Sequence, residues 1–188
     1  MFSSLLKVSV LSLALLGLQT AYAAEQDKLN VVVKLDSIKK TQAQEESGDE
    51  LYFSITEYSS TKTSDHYQVP DFPTHWLSSY LDQVKNVNLW EKELQPNEAV
   101  QLIISLVERD VPPWNVDDLI GSLKLKVKWE NNQLTKEWSI PNQDNTAREP
   151  DTTNTFKLTG DEAQYKITLK VEESEKSESS KNKEEEAN

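Results

Sequence analysis

The chain has 188 residues, no cysteine, four glycines and a formal net charge of −12 at pH 7. Without cysteine it can form neither a disulfide framework nor a thiolate metal site, and its glycines match neither a phosphate-binding loop nor a dinucleotide fingerprint. An acidic chain is poorly suited to nucleic acid, because the neutralisation of phosphates requires a basic surface.

The first segment has the organisation of a secretory signal peptide. Lys7 precedes an apolar run from Val8 to Leu18, and residues 21–23, Ala-Tyr-Ala, carry the small residues that signal peptidase recognises. The run is shorter than the about 20 apolar residues that a membrane-spanning helix requires. We therefore predict cleavage after Ala23 and an exported protein, periplasmic or extracellular, without a transmembrane segment.

After this segment, apolar and polar residues alternate along most of the chain, which is typical of half-buried β-strands. Residues 100–107 are apolar on both faces, as expected for a central strand. Helical spacing of apolar residues after Pro73 predicts one short helix in the long connection 58–84. We predict an all-β, antiparallel eight-stranded β-sandwich over residues 24–171. The predicted strands centre on residues 29–35, 51–55, 87–89, 100–107, 123–129, 138–140, 156–158 and 165–171.

The carboxyl-terminal segment departs from globular composition. Residues 172–188 contain seven glutamates, three lysines and four serines, with no apolar residue larger than alanine. Such a segment buries too little surface to offset its ordering entropy, so we predict a disordered acidic tail. The tail either captures a basic partner electrostatically or only keeps the protein soluble.

One segment has the character of a known family. Residues 108–121 read Glu-Arg-Asp-Val-Pro-Pro-Trp-Asn-Val-Asp-Asp-Leu-Ile-Gly. This segment resembles the third top loop of the C2 domain, the eight-stranded sandwich of calcium-dependent lipid-binding proteins, whose loop runs Asp-x-Asp and then Asp-x-Ile-Gly. Asp110 matches the first acidic position and Asp118 the last, and Pro112 stands at the middle one.

A second segment extends the resemblance. Residues 47–53, Ser-Gly-Asp-Glu-Leu-Tyr-Phe, are similar to the end of the first C2 top loop, with Asp49 at its acidic position. The resemblance implies a C2-like fold in which Asp49, Asp110 and Asp118 bind calcium at one end of the sandwich. Calcium takes about six to eight oxygen ligands, so backbone carbonyls and water would complete the shell. The alternative is that these aspartates bond backbone amides and stabilise turns.

Two further features have both a binding and a structural interpretation. Trp114, at the tip of the third loop, either contacts a membrane or protein partner or folds back over the end of the sandwich. In C2 domains a lysine-rich strand face can bind anionic lipid, and Lys124, Lys126 and Lys128 resemble that feature. The alternative is a solvated face whose lysines prevent aggregation.

Catalytic motifs are missing from the sequence. His66 and His75 have a spacing that matches no metalloenzyme motif, and no serine lies in a nucleophile elbow. We therefore predict an exported, non-enzymatic module that engages a protein or membrane surface through its top loops and is modulated by calcium. One alternative is an acidic periplasmic or secreted inhibitor-type protein that masks a basic protein partner. Another is a structural subunit that assembles through exposed strand edges.

Overall fold

The computed structural model describes residues 28–60, 64–110, 116–160 and 162–174. The predicted signal peptide 1–23 and Trp114 lie outside these residues. Within them the chain forms eleven strands and one 3-10 helix, Ser78–Gln83. The strands are β1 (Leu29–Gln42), β2 (Glu50–Ser59), β3 (Asp65–Val69), β4 (Trp76–Leu77), β5 (Val87–Leu94), β6 (Ala99–Glu108), β7 (Asp118–Glu130), β8 (Gln133–Ser139), β9 (Thr146–Arg148), β10 (Thr155–Gly160) and β11 (Ala163–Ser174).

The strands form two antiparallel sheets that share one hydrophobic core. The first sheet has the order β5-β1-β11-β10-β9, and the second has the order β3-β2-β6-β7-β8, with β4 paired to β2. The all-β prediction is therefore confirmed at the level of two antiparallel sheets. The two-sided apolar strand β6 lies in the middle of the second sheet, as its sequence predicts.

The alternation along β7 decides which face of the second sheet is buried. Leu123, Leu125 and Val127 are fully buried, whereas the lysines between them lie on the outer face. Burying a side chain of this size contributes about 1.5–3 kcal/mol. The turn to β8 is made by Asn131 and Asn132, both at positive φ, which asparagine tolerates in a tight hairpin.

Three short strands, β3, β4 and β9, were not among the eight predicted segments. They have five, two and three residues, which is too short for an alternating pattern to emerge. The predicted helix is a six-residue 3-10 helix whose Leu81 faces the core. In the described part of the chain, no helix has the length and apolar character needed to cross a membrane.

The last strand is longer than the sequence indicates. β11 runs through Ser174, and Glu172 pairs with Val32 of β1 in the backbone ladder. Lys34 Nζ lies 2.6 Å from the Glu172 carboxylate, and this ion pair offsets the negative charge that Glu172 brings into the strand. Residues 172–174 of the predicted tail therefore belong to the sheet, and the rest of the tail lies outside the described residues.

Candidate functional site at the loop end

Three parts of the chain meet at one end of the sandwich, which we call the loop end. They are the β1–β2 loop (residues 43–49), the last residues of β6 and the first residues of β7. Strand register places Glu108 of β6 beside Leu51 of β2 on one side and Asp118 of β7 on the other. Gln44 connects the loop to β7, because its Nε2 donates to Asp118 Oδ2 at 3.2 Å.

The β1–β2 loop is held in place by Asp49, which is fully buried. Its Oδ1 accepts the backbone N–H groups of Gln44 and Glu45, both at 2.9 Å, and its Oδ2 accepts the Tyr165 hydroxyl. Burial and this hydrogen bond raise the pKa of Tyr165, so the phenol remains a donor. Asp49 thus acts as the organising residue of the loop, with its carboxylate engaged by three donors.

Gly48 allows the sharp turn that leads into Asp49. Its φ is +96°, a conformation that side-chain-bearing residues rarely adopt, and its N–H donates to Glu45 O at 3.1 Å. A Cβ atom there would lie 3.0 Å from Ser78 Oγ. This turn fixes where Glu45 stands relative to the end of β6.

Three carboxylates converge at the loop end, and we call them the acidic triad: Glu45, Glu108 and Asp110. One oxygen from each lies within 4.8 Å of the other two. Glu108 is only 2% exposed, and from the described residues its carboxylate accepts one long hydrogen bond, from the Glu50 N–H at 3.4 Å. Asp110 Oδ2 is buried without a hydrogen-bond partner, as is the nearby loop's Gln44 Oε1. The triad therefore contains one acceptor oxygen, and the β1–β2 loop a second, that the described residues leave unsatisfied.

The electrostatics of the triad are unfavourable without a ligand. Burial raises the pKa of Glu108 to about 8; the Glu50 N–H opposes this shift, and the charges of Asp110, Glu45 and Asp49 add to it. Among the described residues no lysine or arginine forms an ion pair with the triad. A proton or a bound cation must therefore offset the crowded negative charge.

The cationic residue between Glu108 and Asp110 in the sequence, Arg109, makes its contacts elsewhere. Its Nη1 donates to the Pro73 carbonyl at 2.7 Å and its Nη2 to Gln68 Oε1 at 3.2 Å. The guanidinium stacks over the Tyr52 ring at 4.9 Å and the Phe72 ring at 5.1 Å. Arg109 thus attaches the connection after β3 to the second sheet instead of neutralising the triad.

The triad has the composition of a site for a hard cation. Calcium binds oxygen ligands at about 2.3–2.6 Å, so oxygens within 4.8 Å of one another can contact one ion. A set of three carboxylate oxygens suits calcium or magnesium rather than zinc, which prefers nitrogen and sulfur.

Of the three aspartates predicted to bind calcium, only Asp110 belongs to the triad. Asp49 holds the loop, and Asp118 accepts from Gln44. The adjacent Asp117 accepts the Tyr52 hydroxyl at 2.7 Å and the Asp110 N–H at 3.2 Å. All of these acids lie at the loop end, where the structure groups Asp110 with Glu45 and Glu108 and gives Asp49 and Asp118 other partners.

Sequence reasoning missed Glu45 and Glu108, and for Glu108 a signal was present. Leu102, Ile104 and Leu106 alternate on the inner face of β6, and Glu108 is the next residue in that register. Burying a carboxylate at a core position costs free energy unless a hydrogen-bond donor, a proton or a cation offsets it, so such a position is a candidate for a functional site. Glu45 carries no comparable signal, because it lies in an acidic turn.

The predicted binding lysines lie away from the loop end. Lys124, Lys126 and Lys128 project from the outer face of the second sheet, and Lys128 pairs with Glu130 at 2.7 Å. In register, Lys126 stands opposite Glu137 of β8. The row is therefore a mixed charged face that runs along the strand.

Comparison of the sequence with protein-family models and with curated proteins finds no match. The function is accordingly inferred from the geometry of the loop end.

Proposed function

We propose that this protein is an exported, non-enzymatic binding module with a C2-like sandwich, whose loop end binds calcium and engages a protein or membrane surface. The observation that carries the proposal is the acidic triad, with a nearly fully buried Glu108 and an unsatisfied Asp110 Oδ2. A carboxylate buried without a cation or donors is costly, and proteins compensate such groups by pairing or metal coordination.

Calcium is favoured over magnesium by the loop that supplies the ligands. Glu45 comes from an irregular turn, and Asp110 immediately precedes the segment that connects β6 to β7. Calcium accepts irregular shells with a high ligand number, whereas magnesium demands near-ideal octahedral geometry. Gln44 Oε1, water and backbone carbonyls would complete the calcium shell.

The proposed partner contacts are aromatic residues linked to the triad by sequence or through Arg109. Trp114 lies between Asp110 and Asp118 in the sequence. Phe72 is 76% exposed and stacks on Arg109, the residue next to Asp110. Exposed aromatic side chains of this kind are common anchors at interfaces.

Thermal unfolding of the mature protein, residues 24–188, tests the calcium site. The melting temperature is measured in chelator, in millimolar calcium and in millimolar magnesium, because a ligand that binds only the folded state raises it. We expect a calcium-specific rise that Asp110→Asn abolishes. The matched control is Asp65→Asn, an exposed aspartate at the start of β3, which should keep the full rise.

Two results would contradict the proposal: no calcium-dependent rise in the wild-type protein, or equal loss in both variants. A partner that is retained regardless of chelator and released by salt would instead indicate the inhibitor-type alternative.

A further inference from the structure

A cleft of about 450 Å³ lies between the last part of β1 and the 3-10 helix. Among the described residues its walls carry three lysines, Lys39, Lys40 and Lys85, and one acidic residue, Asp82. The hydroxyl-bearing residues Ser37 and Ser79 also line it. Its size falls within the range of small-molecule sites, about 300–1,000 Å³.

The three cleft lysines differ from Lys34 and Lys166 of the first sheet. Lys34 and Lys166 each have a carboxylate partner, at 2.6 Å from Glu172 and 2.8 Å from Glu149. In the described part of the chain, none of the three cleft lysines has an ion pair or a hydrogen bond from its ammonium group. Three lysines without a carboxylate partner among the described residues therefore line one cleft of an acidic protein, and their charge favours an anion there.

We propose that this cleft binds the phosphate group of a phosphomonoester. Three lysine charges and the opposing charge of Asp82 leave a surplus of two positive charges, 3 − 1 = 2. A phosphomonoester carries about −1.5 to −2 at neutral pH, which matches this surplus better than a carboxylate does. Lysine ammonium groups and serine hydroxyls are suitable donors to its oxygens.

This site is separate from the acidic triad. Ser78 lines the cleft, and its Oγ accepts the Asp49 N–H at 2.9 Å, so the Asp49 turn lies between the two sites. The phosphate proposal therefore does not depend on the proposed calcium function. Its experiment is carried out in chelator, and Asp110→Asn should leave phosphate binding unchanged.

The test titrates the mature protein with inorganic phosphate and with phenyl phosphate at constant ionic strength, followed by ³¹P NMR. The double variant Lys39→Gln/Lys85→Gln removes two cleft charges. The matched control, Lys124→Gln/Lys126→Gln, removes two charges from the outer face of the second sheet. We expect saturable binding that the cleft variant weakens about tenfold or more and the control retains.

A second arm identifies the source of the phosphate with vesicles of phosphatidylcholine, with and without phosphatidic acid. Capture by phosphatidic acid vesicles that the cleft variant loses supports the site and assigns its phosphate to a lipid headgroup. Binding of phenyl phosphate without vesicle capture supports the site and assigns it to a small soluble ligand. Absence of binding in both arms, or equal weakening by the control variant, overturns the proposal.

Discussion

An inward-facing glutamate has neighbours of opposite charge at the two ends of the sandwich. Glu57 continues the inner face of β2 at one end, and Glu108 continues the inner face of β6 at the loop end. Lys92 Nζ contacts Glu57 at 2.5 Å and Glu98 at 3.0 Å, so we call the first the lysine-paired end. At the loop end, Glu108 faces the carboxylates of Glu45 and Asp110 instead.

At the lysine-paired end, residues of the protein itself supply the counter-charge and the hydrogen-bond donors of the glutamates. Trp90 Nε1 donates to Glu57 at 2.7 Å, and the Gln95 N–H donates to Glu98 at 2.9 Å. Burial alone would lower the pKa of Lys92, but its hydrogen bonds to Glu57 and Glu98 raise it, so the ammonium stays charged. Among the described residues, a lysine therefore neutralises the glutamates of the lysine-paired end, whereas no lysine or arginine pairs with the triad at the loop end.

The largest expected effect comes from removing the cation of the lysine-paired end. Lys92→Met leaves Glu57 and Glu98 buried without a counter-charge, which should lower the free energy of unfolding by about 3–5 kcal/mol. Urea unfolding measures this change. Lys28→Met, which breaks an exposed pair with Glu93, is the control and should cost at most about 1 kcal/mol. Equal effects of the two substitutions would show that the buried network does not differ from a surface pair.

The next effect concerns the pH dependence of the loop end. The pKa of Glu108 is about 8 in the folded protein against an ordinary 4.5, so the folded state holds an extra proton between these values. Stability in chelator should therefore fall as pH rises from about 4.5 to about 8, by a few kcal/mol, because one pKa unit corresponds to about 1.4 kcal/mol.

Glu108→Gln isolates this contribution from that of the other carboxylates. In chelator the variant should match the wild type at low pH and exceed its stability above pH of about 8. Urea unfolding at a series of pH values gives the difference between the two proteins. A difference that does not change with pH would contradict the unfavourable electrostatics of the triad.

A smaller effect is expected from the hydrogen bond that holds the β1–β2 loop. Tyr165→Phe keeps the buried ring but removes the hydroxyl that donates to Asp49, and hydrogen bonds to charged groups contribute about 1.5–3 kcal/mol. Tyr80→Phe, on an exposed tyrosine, is the matched control and should be neutral. Chemical unfolding distinguishes them, and a neutral Tyr165→Phe would mean that Asp49 does not organise the loop.

The smallest effect is expected on the outer face of the second sheet. Lys128 and Glu130 form a solvent-exposed pair at 2.7 Å, and such pairs contribute about 0–1 kcal/mol. Lys128→Ala should therefore leave the urea midpoint nearly unchanged. A loss as large as that of Lys92→Met would show that exposure does not govern the energies of these pairs.

The fold was readable from the sequence because its strands are long and half-buried. The inner residues of β6 and β7 keep strict alternation, whereas β4 has two residues and relies on pairing with β2. Glu172 and Glu173 were predicted to belong to the tail, because the sequence shows neither their backbone pairing with β1 nor the ion pair of Glu172 with Lys34.

The site could be predicted only in part, because it too depends on contacts between segments that are distant in the sequence. The sequence places acidic residues in both loops, and the structure brings these residues to one end of the sandwich, but which carboxylates meet there depends on backbone donors. Asp49 is engaged by the N–H groups of Gln44 and Glu45, and this local turn brings Glu45 to Glu108 and Asp110. Contacts of this kind between loop and strand end leave no periodic signal in the sequence.

Calorimetric titration with calcium of the wild type, Glu108→Gln and Glu57→Gln tests the central claim most directly. Both substitutions neutralise one inward-facing glutamate, one at each end of the sandwich. We predict saturable calcium binding by the wild type and by Glu57→Gln, and loss of binding in Glu108→Gln. Absence of calcium binding in the wild type, or binding unaffected by Glu108→Gln, would contradict the assignment of the loop end as a cation site.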